Sequence, residues 1–194
     1  MIKLMRAIIK GFLNGLVRIV YRLKIRGKEN LPKEGGCIIC PNHIHALDPV
    51  PIIICNKRKT VAMAKKELFD NPFLRWLAKE FEIFPVDRSV KDLEATKHAL
   101  KVLKAGEMLL MYPEGTRNGL KKGLKLKNGA TVIAIKAGVP IVPVGISGTF
   151  KPFSKLTVTY GKPIYFDKKT DMKDKEFIDN LTLNVMNTAL ELTK

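Results

Sequence analysis

An α/β domain, with a mostly parallel mixed sheet flanked by helices and an amphipathic helix ahead of it, is the fold class this sequence predicts. Three observations carry it. Short apolar runs alternate with stretches of helical periodicity from residue 24 to the C-terminus. Several runs, Cys37-Ile38-Ile39-Cys40 and Pro140 to Val144 among them, lack the polar alternation of a half-exposed strand and so read as strands covered on both faces. The first 22 residues follow a different pattern, apolar on one side and basic on the other.

Taking the elements in order, residues 1–22 carry Lys3, Arg6, Lys10, Asn14, Arg18 and Arg22 every three or four positions, a polar stripe opposite a broad apolar face. Those charges break any apolar run near the roughly 20 residues a spanning helix needs, and there is no uninterrupted apolar core with a small-residue cleavage site. The expectation is a helix lying in a membrane interface, with Lys3, Arg6, Lys10 and Arg18 toward anionic headgroups and Phe12 in the apolar layer. The alternative is a helix packing its apolar face on the domain. Residues 1–22 are thus one unit and 23–194 the folded domain.

Within that domain, residues 24–26 read as a short strand, 27–36 as a polar turn region, 37–40 as a buried strand, 49–54 as apolar helix or turn, and 60–64 as a strand. Residues 71–81 carry Phe73, Leu74, Trp76 and Leu77 at helical spacing, 82–84 are strand-like, and 90–105 are helical up to Gly106. Residues 107–112 form a strand, 128–137 a helix stopped by Gly138, 140–144 and 156–160 strands, and 174–192 a final helix.

Composition bounds the function. The 194 residues suit one domain with an appendage, and a hydrophobic fraction of 46% is enough for a real core, which excludes disorder. A net charge of +17 calls for a polyanionic neighbour: nucleic acid, an anionic membrane, or phosphorylated small molecules. Nucleic acid fits poorly, since the basic residues are scattered rather than interleaved with stacking aromatics and no helix-turn-helix, zinc-finger or RNA-binding signature is present. Cys37, Cys40 and Cys55 are odd in number and sit in apolar runs, the pattern of a reducing compartment. Cys37-x-x-Cys40 has no second pair to complete a zinc site, so the two read as small buried residues of a strand, and nothing calls for a metal or prosthetic group.

In open α/β sheets, sites collect where strands end, and here the strand exits are chemically dense. After Cys40 comes Pro41-Asn42-His43-Ile44-His45-Ala46-Leu47-Asp48-Pro49. On a continuous helix His43 and Asp48 would stand about 140° apart, so a contact between them requires the turn that the flanking prolines favour. A carboxylate holding one imidazole nitrogen leaves the other as a general base, whereas the blander reading is a surface histidine with a helix-capping aspartate. Strand 107–112 runs into Pro113-Glu114-Gly115-Thr116-Arg117, 82–84 into Pro85-Val86-Asp87-Arg88, and 60–64 into Lys65-Lys66, so cations recur along one edge as an anion site would require. Cys40, three residues before His43, is a rival covalent nucleophile, disfavoured by its apolar neighbours.

His43-x4-Asp48, Phe84-Pro85-Val86-Asp87-Arg88, Tyr112-Pro113-Glu114-Gly115-Thr116-Arg117 and Gly138-Val139-Pro140-Ile141-Val142-Pro143-Val144, in that order, resemble the four blocks of the 1-acylglycerol-3-phosphate acyltransferases over roughly residues 25–165. The first and third blocks are the specific ones. His45 stands where many members carry Ser, and Tyr112 where Phe is commoner. The resemblance implies transfer of a fatty acyl group from an acyl thioester to the sn-2 hydroxyl of lysophosphatidate, giving phosphatidate, with no cofactor beyond the thioester of coenzyme A or an acyl carrier protein. His43, oriented by Asp48, would be the base. Arg88 and Arg117, helped by Lys65 or Lys66, would hold the substrate phosphate, and Glu114, Gly115 and Thr116 would bond to the glycerol portion or order their loop. An amide near Lys65 is the expected donor to the thioester oxygen. Asn42 would support the turn, and Lys121, Lys122, Lys125 and Lys127 would meet headgroups, coenzyme A or an acidic carrier. Glycerol 3-phosphate or another lyso-lipid is the alternative acceptor; a non-catalytic membrane or nucleic-acid binder is the alternative class. The expected location is the cytoplasmic face of a bacterial cell membrane, peripheral or monotopic.

Overall fold

A computed structural model of the chain describes residues 11, 12, 14–72, 75, 78, 83–86, 93–167 and 173–194. Among these residues seven strands form one sheet in the order β1-β7-β6-β2-β5-β3-β4. They are β1 (Lys24–Arg26), β2 (Cys37–Pro41), β3 (Thr60–Lys65), β4 (Phe84–Val86), β5 (Met108–Leu110), β6 (Ile141–Gly148) and β7 (Leu156–Tyr160). β6, β2, β5, β3 and β4 run parallel, β7 joins β6 antiparallel, and β1 runs parallel to β7, the mostly parallel mixed sheet that the apolar runs predict.

The central strand explains the absence of alternation. Successive β2 side chains point to opposite faces, yet all five residues are buried because both faces are covered. Cys37 and Ile39 enter a core with α1 (Pro49–Cys55), Val17 and the inner side of β7. Ile38 and Cys40 enter a second core beneath α2 (Leu93–Lys104), α3 (Gly129–Ala137) and α4 (Lys175–Glu191), which contribute Ala99, Val102, Ala134 and Val185. Cys37 and Cys40 therefore face opposite ways as free thiols.

Helix ends follow local chemistry. Asp174 caps α4 by accepting from the Phe177 amide at 2.9 Å. Gly138 closes α3 at φ +65°, a left-handed position that costs glycine nothing, and its N–H reaches the Ala134 and Ile135 carbonyls.

Several boundaries, and one helix face, differ from expectation. β4 is Phe84–Val86, displaced from 82–84, because Phe84, Pro85 and Val86 align with Met63, Ala64 and Lys65 at the edge of the sheet, where a proline's missing N–H leaves no internal partner unmet. β5 ends at Leu110, so Tyr112 belongs to the loop. β6 runs on through Gly148 because β7 pairs with Val144–Gly148, a pairing invisible in the non-apolar run Gly145-Ile146-Ser147. Residues 11, 12 and 14–20 are helical, but Asn14, counted on the polar stripe, faces the domain: its Nδ2 donates to the Ile54 carbonyl at 3.3 Å, and Val17 beside it is buried. Phe12, Leu16 and Ile19 are left 71%, 45% and 70% exposed. Residues 72, 75 and 78 are helical, whereas Phe73, Leu74, Trp76 and Leu77 lie outside the described residues, as do Arg88, Lys3, Arg6 and Lys10.

Candidate active site

The parallel strands deliver their C-terminal ends to one edge, so the segments after β2 and β5, hydrogen-bonded neighbours, emerge side by side. The chain leaves β2 at Pro41 into Asn42, which is buried. Its Nδ2 donates to the Ile146 carbonyl at 3.0 Å and its Oδ1 accepts from the Ile146 amide at 2.6 Å, so one side chain continues the β2–β6 pairing where the backbone turns away.

That turn brings His43 back onto Asp48. Nδ1 of His43 lies 2.7 Å from Asp48 Oδ2, with side-chain exposures of 15% and 0%. The same oxygen accepts from the amides of Ile44 at 2.7 Å and His45 at 2.9 Å. Three donors on one oxygen compensate a carboxylate that burial would otherwise penalise. Asp48 is the N-cap residue of α1, yet its side chain makes no capping bond; it is committed to the histidine loop, which sets aside the helix-capping alternative. An ionised Asp48 can only accept from Nδ1, so the neutral imidazole carries its proton there and keeps a lone pair on Nε2.

The His43 backbone is gripped from both sides by the loop after β5. Glu114 Oε1 accepts from the His43 amide at 2.7 Å, and the Asn118 amide donates to the His43 carbonyl at 2.6 Å. Glu114 is itself buried and its Oε2 accepts from the Leu120 amide at 3.1 Å, so both oxygens are spent on ordering the two loops. Gly119 must be glycine for this to close: a Cβ there would stand 2.6 Å from the Glu114 carbonyl oxygen. Tyr112 packs its ring on His43, centroids 4.2 Å apart and planes at 32°. Burial, with the Asp48 charge as a lesser cause, pushes the Tyr112 phenol well above its ordinary range, so it stays a neutral wall against the His43 ring.

The remaining sequence-derived candidates sit around this core. Gly115 and Thr116 line, with Met63, Met111, Ile133 and Lys127, a groove of about 600 Å³ that also touches Tyr112 and Glu114. Arg117 is exposed at the loop tip, with no hydrogen bond or ion pair among the described residues. Lys65 closes β3 and pairs with Glu67 at 2.7 Å. β5 lies between β3 and β2, which puts Lys65 two strand spacings, about 10 Å, from the end of β2. Cys40 is fully buried and its thiol is pushed far up by burial and then by Cys37, so the rival thiolate nucleophile has no support in the geometry.

Sequence reasoning missed Asn118 as the second clasp on His43, and the ring of Phe150, 4.6 Å from that of His45. Asn118 stands directly after the Glu-Gly-Thr-Arg run and adopts φ +54°, a backbone state asparagine tolerates, which is the signal that could have found it.

Comparison with known proteins gives the chain its relatives. A family model described as Acyltransferase matches residues 22–147. A 1-acyl-sn-glycerol-3-phosphate acyltransferase of Bacillus subtilis is 31% identical over 167 residues, covering 82% of this chain and 82% of that protein. One of Borreliella burgdorferi is 33% identical over 136 residues, 69% of this chain and 54% of the relative. The crystal structure of the 1-acyl-sn-glycerophosphate acyltransferase PlsC from Thermotoga maritima superposes with a TM-score of 0.72 at 25% identity, covering 98% of this chain and 82% of that one.

Proposed function

Because this chain belongs to the acyltransferase family, we propose that it transfers a fatty acyl group from an acyl thioester to the sn-2 hydroxyl of lysophosphatidate, forming phosphatidate. The observation that carries the reading is the His43–Asp48 pair, an imidazole with Nδ1 fixed at 2.7 Å and its backbone clasped at both the amide and the carbonyl. His43 Nε2 takes the proton of the hydroxyl as its oxygen attacks the thioester carbonyl, and Asp48 stabilises the imidazolium that forms. The C–S bond then breaks, the ester remains on the glycerol, and the imidazolium returns its proton to the departing thiolate. No acyl-enzyme is required, and the cycle uses neither metal nor prosthetic group. In this reading Arg117, exposed on the loop after β5, takes the phosphate in a bidentate grip, with Lys65 approaching from β3 and Arg88 assigned by the sequence to the same anion.

The acceptor is a single-chain anionic amphiphile, so the enzyme meets it at a lipid surface. Among the described residues no helix is long and apolar enough to cross a membrane. The exposed Phe12, Leu16 and Ile19 recur at four and three residues on one helix face, with Arg18 exposed beside them, which supports peripheral docking of the N-terminal helix on anionic lipid at the cytoplasmic face. The test of the activity is release of free thiol from an acyl-coenzyme A or acyl carrier protein donor in the presence of lysophosphatidate. His43→Ala abolishes it with the thermal transition intact; a rate near that of the parent overturns the mechanism.

A further inference from the structure

The loop between β6 and β7, Thr149-Phe150-Lys151-Pro152-Phe153-Ser154-Lys155, holds a conformation that packing alone does not explain. Phe153 sits at φ +62°, a backbone state rare for residues with a large side chain, and yet its side chain is 70% exposed. The loop is not slack. Ser154 Oγ donates to the Thr149 carbonyl at 2.7 Å, the Lys151 amide donates to Thr149 Oγ1 at 3.0 Å, and the Phe153 amide donates to the Val20 carbonyl at 2.5 Å. A built loop that strains its backbone to hold an aromatic in water is the pattern of a surface made for something other than stability.

Its position says what covers it. The Phe153 amide ties the loop to the end of the N-terminal helix, one residue beyond the exposed Ile19. Phe150 turns inward, its ring 5.5 Å from that of Tyr21 and stacked at 16° on His45 of the catalytic loop. The loop thus bridges the end of the N-terminal helix and the segment that carries His43. Lys151 and Lys155 flank Phe153, both exposed, so an aromatic tip is set in positive charge, the complement of an interface of anionic headgroups over acyl chains.

We propose that the Phe150–Lys155 loop is a second lipid-contacting element, in which Phe153 inserts into the bilayer interface, Lys151 and Lys155 engage anionic headgroups, and the Phe150–His45 stack fixes the catalytic loop relative to the membrane. The proposal rests on the lipid-surface reading above and names a contact that the N-terminal helix does not provide.

The full chain is tested by sedimentation with vesicles of phosphatidylcholine and phosphatidylglycerol. Phe153→Asn removes the ring and places at this backbone position a residue that tolerates it. Vesicle partitioning falls about tenfold, while the midpoint of thermal unfolding rises by about 2 °C as strain is relieved. Opposite signs separate a lipid contact from a structural role, since loss of a packing residue lowers both. Lys151→Gln combined with Lys155→Gln weakens binding to anionic vesicles and flattens its salt dependence. If Phe153→Asn partitions like the parent while Leu16→Ser loses binding, the loop contact is overturned and the helix contact stands. If the parent itself fails to sediment with anionic vesicles, the lipid-surface reading falls and this proposal with it.

Discussion

Replacing Asp48 by Asn separates the charge of the carboxylate proposed to orient the base from its hydrogen bonds. All three donors, His43 Nδ1 and the amides of Ile44 and His45, converge on Oδ2, while Oδ1 is buried without a hydrogen-bond partner among the described residues. An asparagine can put its carbonyl oxygen where Oδ2 stands and its amide nitrogen where Oδ1 stands, keeping all three bonds and removing the charge, at the cost of burying an NH2 group where Oδ1 has no partner among the described residues. The loop conformation therefore survives Asp48→Asn. What is lost is the attraction between carboxylate and imidazolium: with charge centres about 4 Å apart and an effective dielectric constant of about 20, it amounts to about 4 kcal/mol. Turnover then falls by about 10³-fold, while the KM for lysophosphatidate changes little. Thiol release measured against both substrates, beside a thermal melt, checks this. A variant keeping a third or more of the parental kcat refutes the imidazolium argument, and one that melts more than about 10 °C lower refutes the claim that Oδ2 alone carries the loop.

Three further outcomes are expected. Glu114→Gln offers one acceptor where the His43 and Leu120 amides need two, so stability drops by about 2 kcal/mol in a urea titration and kcat falls with it as His43 loses an anchor. Arg117→Ala raises the KM for lysophosphatidate about 10–100-fold with kcat within a few-fold of the parent; an unchanged lysophosphatidate titration removes Arg117 from the phosphate site. Burial pushes the Cys37 thiol from 9.0 to about 11 in the fold, a raised value whose stabilising contribution is complete below pH 9 and is lost as the pH climbs through 11. Denaturant titrations across that window show the parent losing about 3 kcal/mol more than Cys37→Ala; parallel losses contradict the assignment.

The sheet was legible where its signal is local. β1 and β7 stand where the short runs put them, and Gly138 and Asp174 mark helix ends by backbone and capping chemistry that a sequence displays. The continuation of β6 was not, since Gly145, Ile146 and Ser147 are in a strand only because β7 folds back on them. The same divide runs through the site. His43 and Asp48 share one loop and could be paired by inspection, but the bonds from His43 to Glu114 and Asn118 cross more than seventy positions and exist only because β2 and β5 are neighbours. The N-terminal helix shows the limit of periodicity: a stripe of polar residues indicates two faces but not which one the protein covers, and here Asn14 turns inward to a helix carbonyl while Phe12 and Ile19 stay out.

Holding the base by its backbone has a consequence for catalysis. The loop that clasps His43 through Glu114 and Asn118 is the one that carries Arg117, so in the proposed reaction the group that binds the phosphate and the group that positions the base belong to one short, internally bonded segment. Gly119 lets that segment close on itself, and Glu114 ties its far end at Leu120. A lysophosphatidate fixed by its phosphate then presents a hydroxyl a few bonds away to an imidazole whose distance from the anchor is set by peptide geometry rather than by side-chain rotamers. Pre-paid orientation of this kind is worth several kcal/mol and is lost by displacements of about 1 Å. It follows that changes to the clasp should lower kcat more than they weaken acceptor binding, whereas changes at Arg117 should do the reverse, and that combining Glu114→Gln with Arg117→Ala should depart from additivity because both act through the same segment.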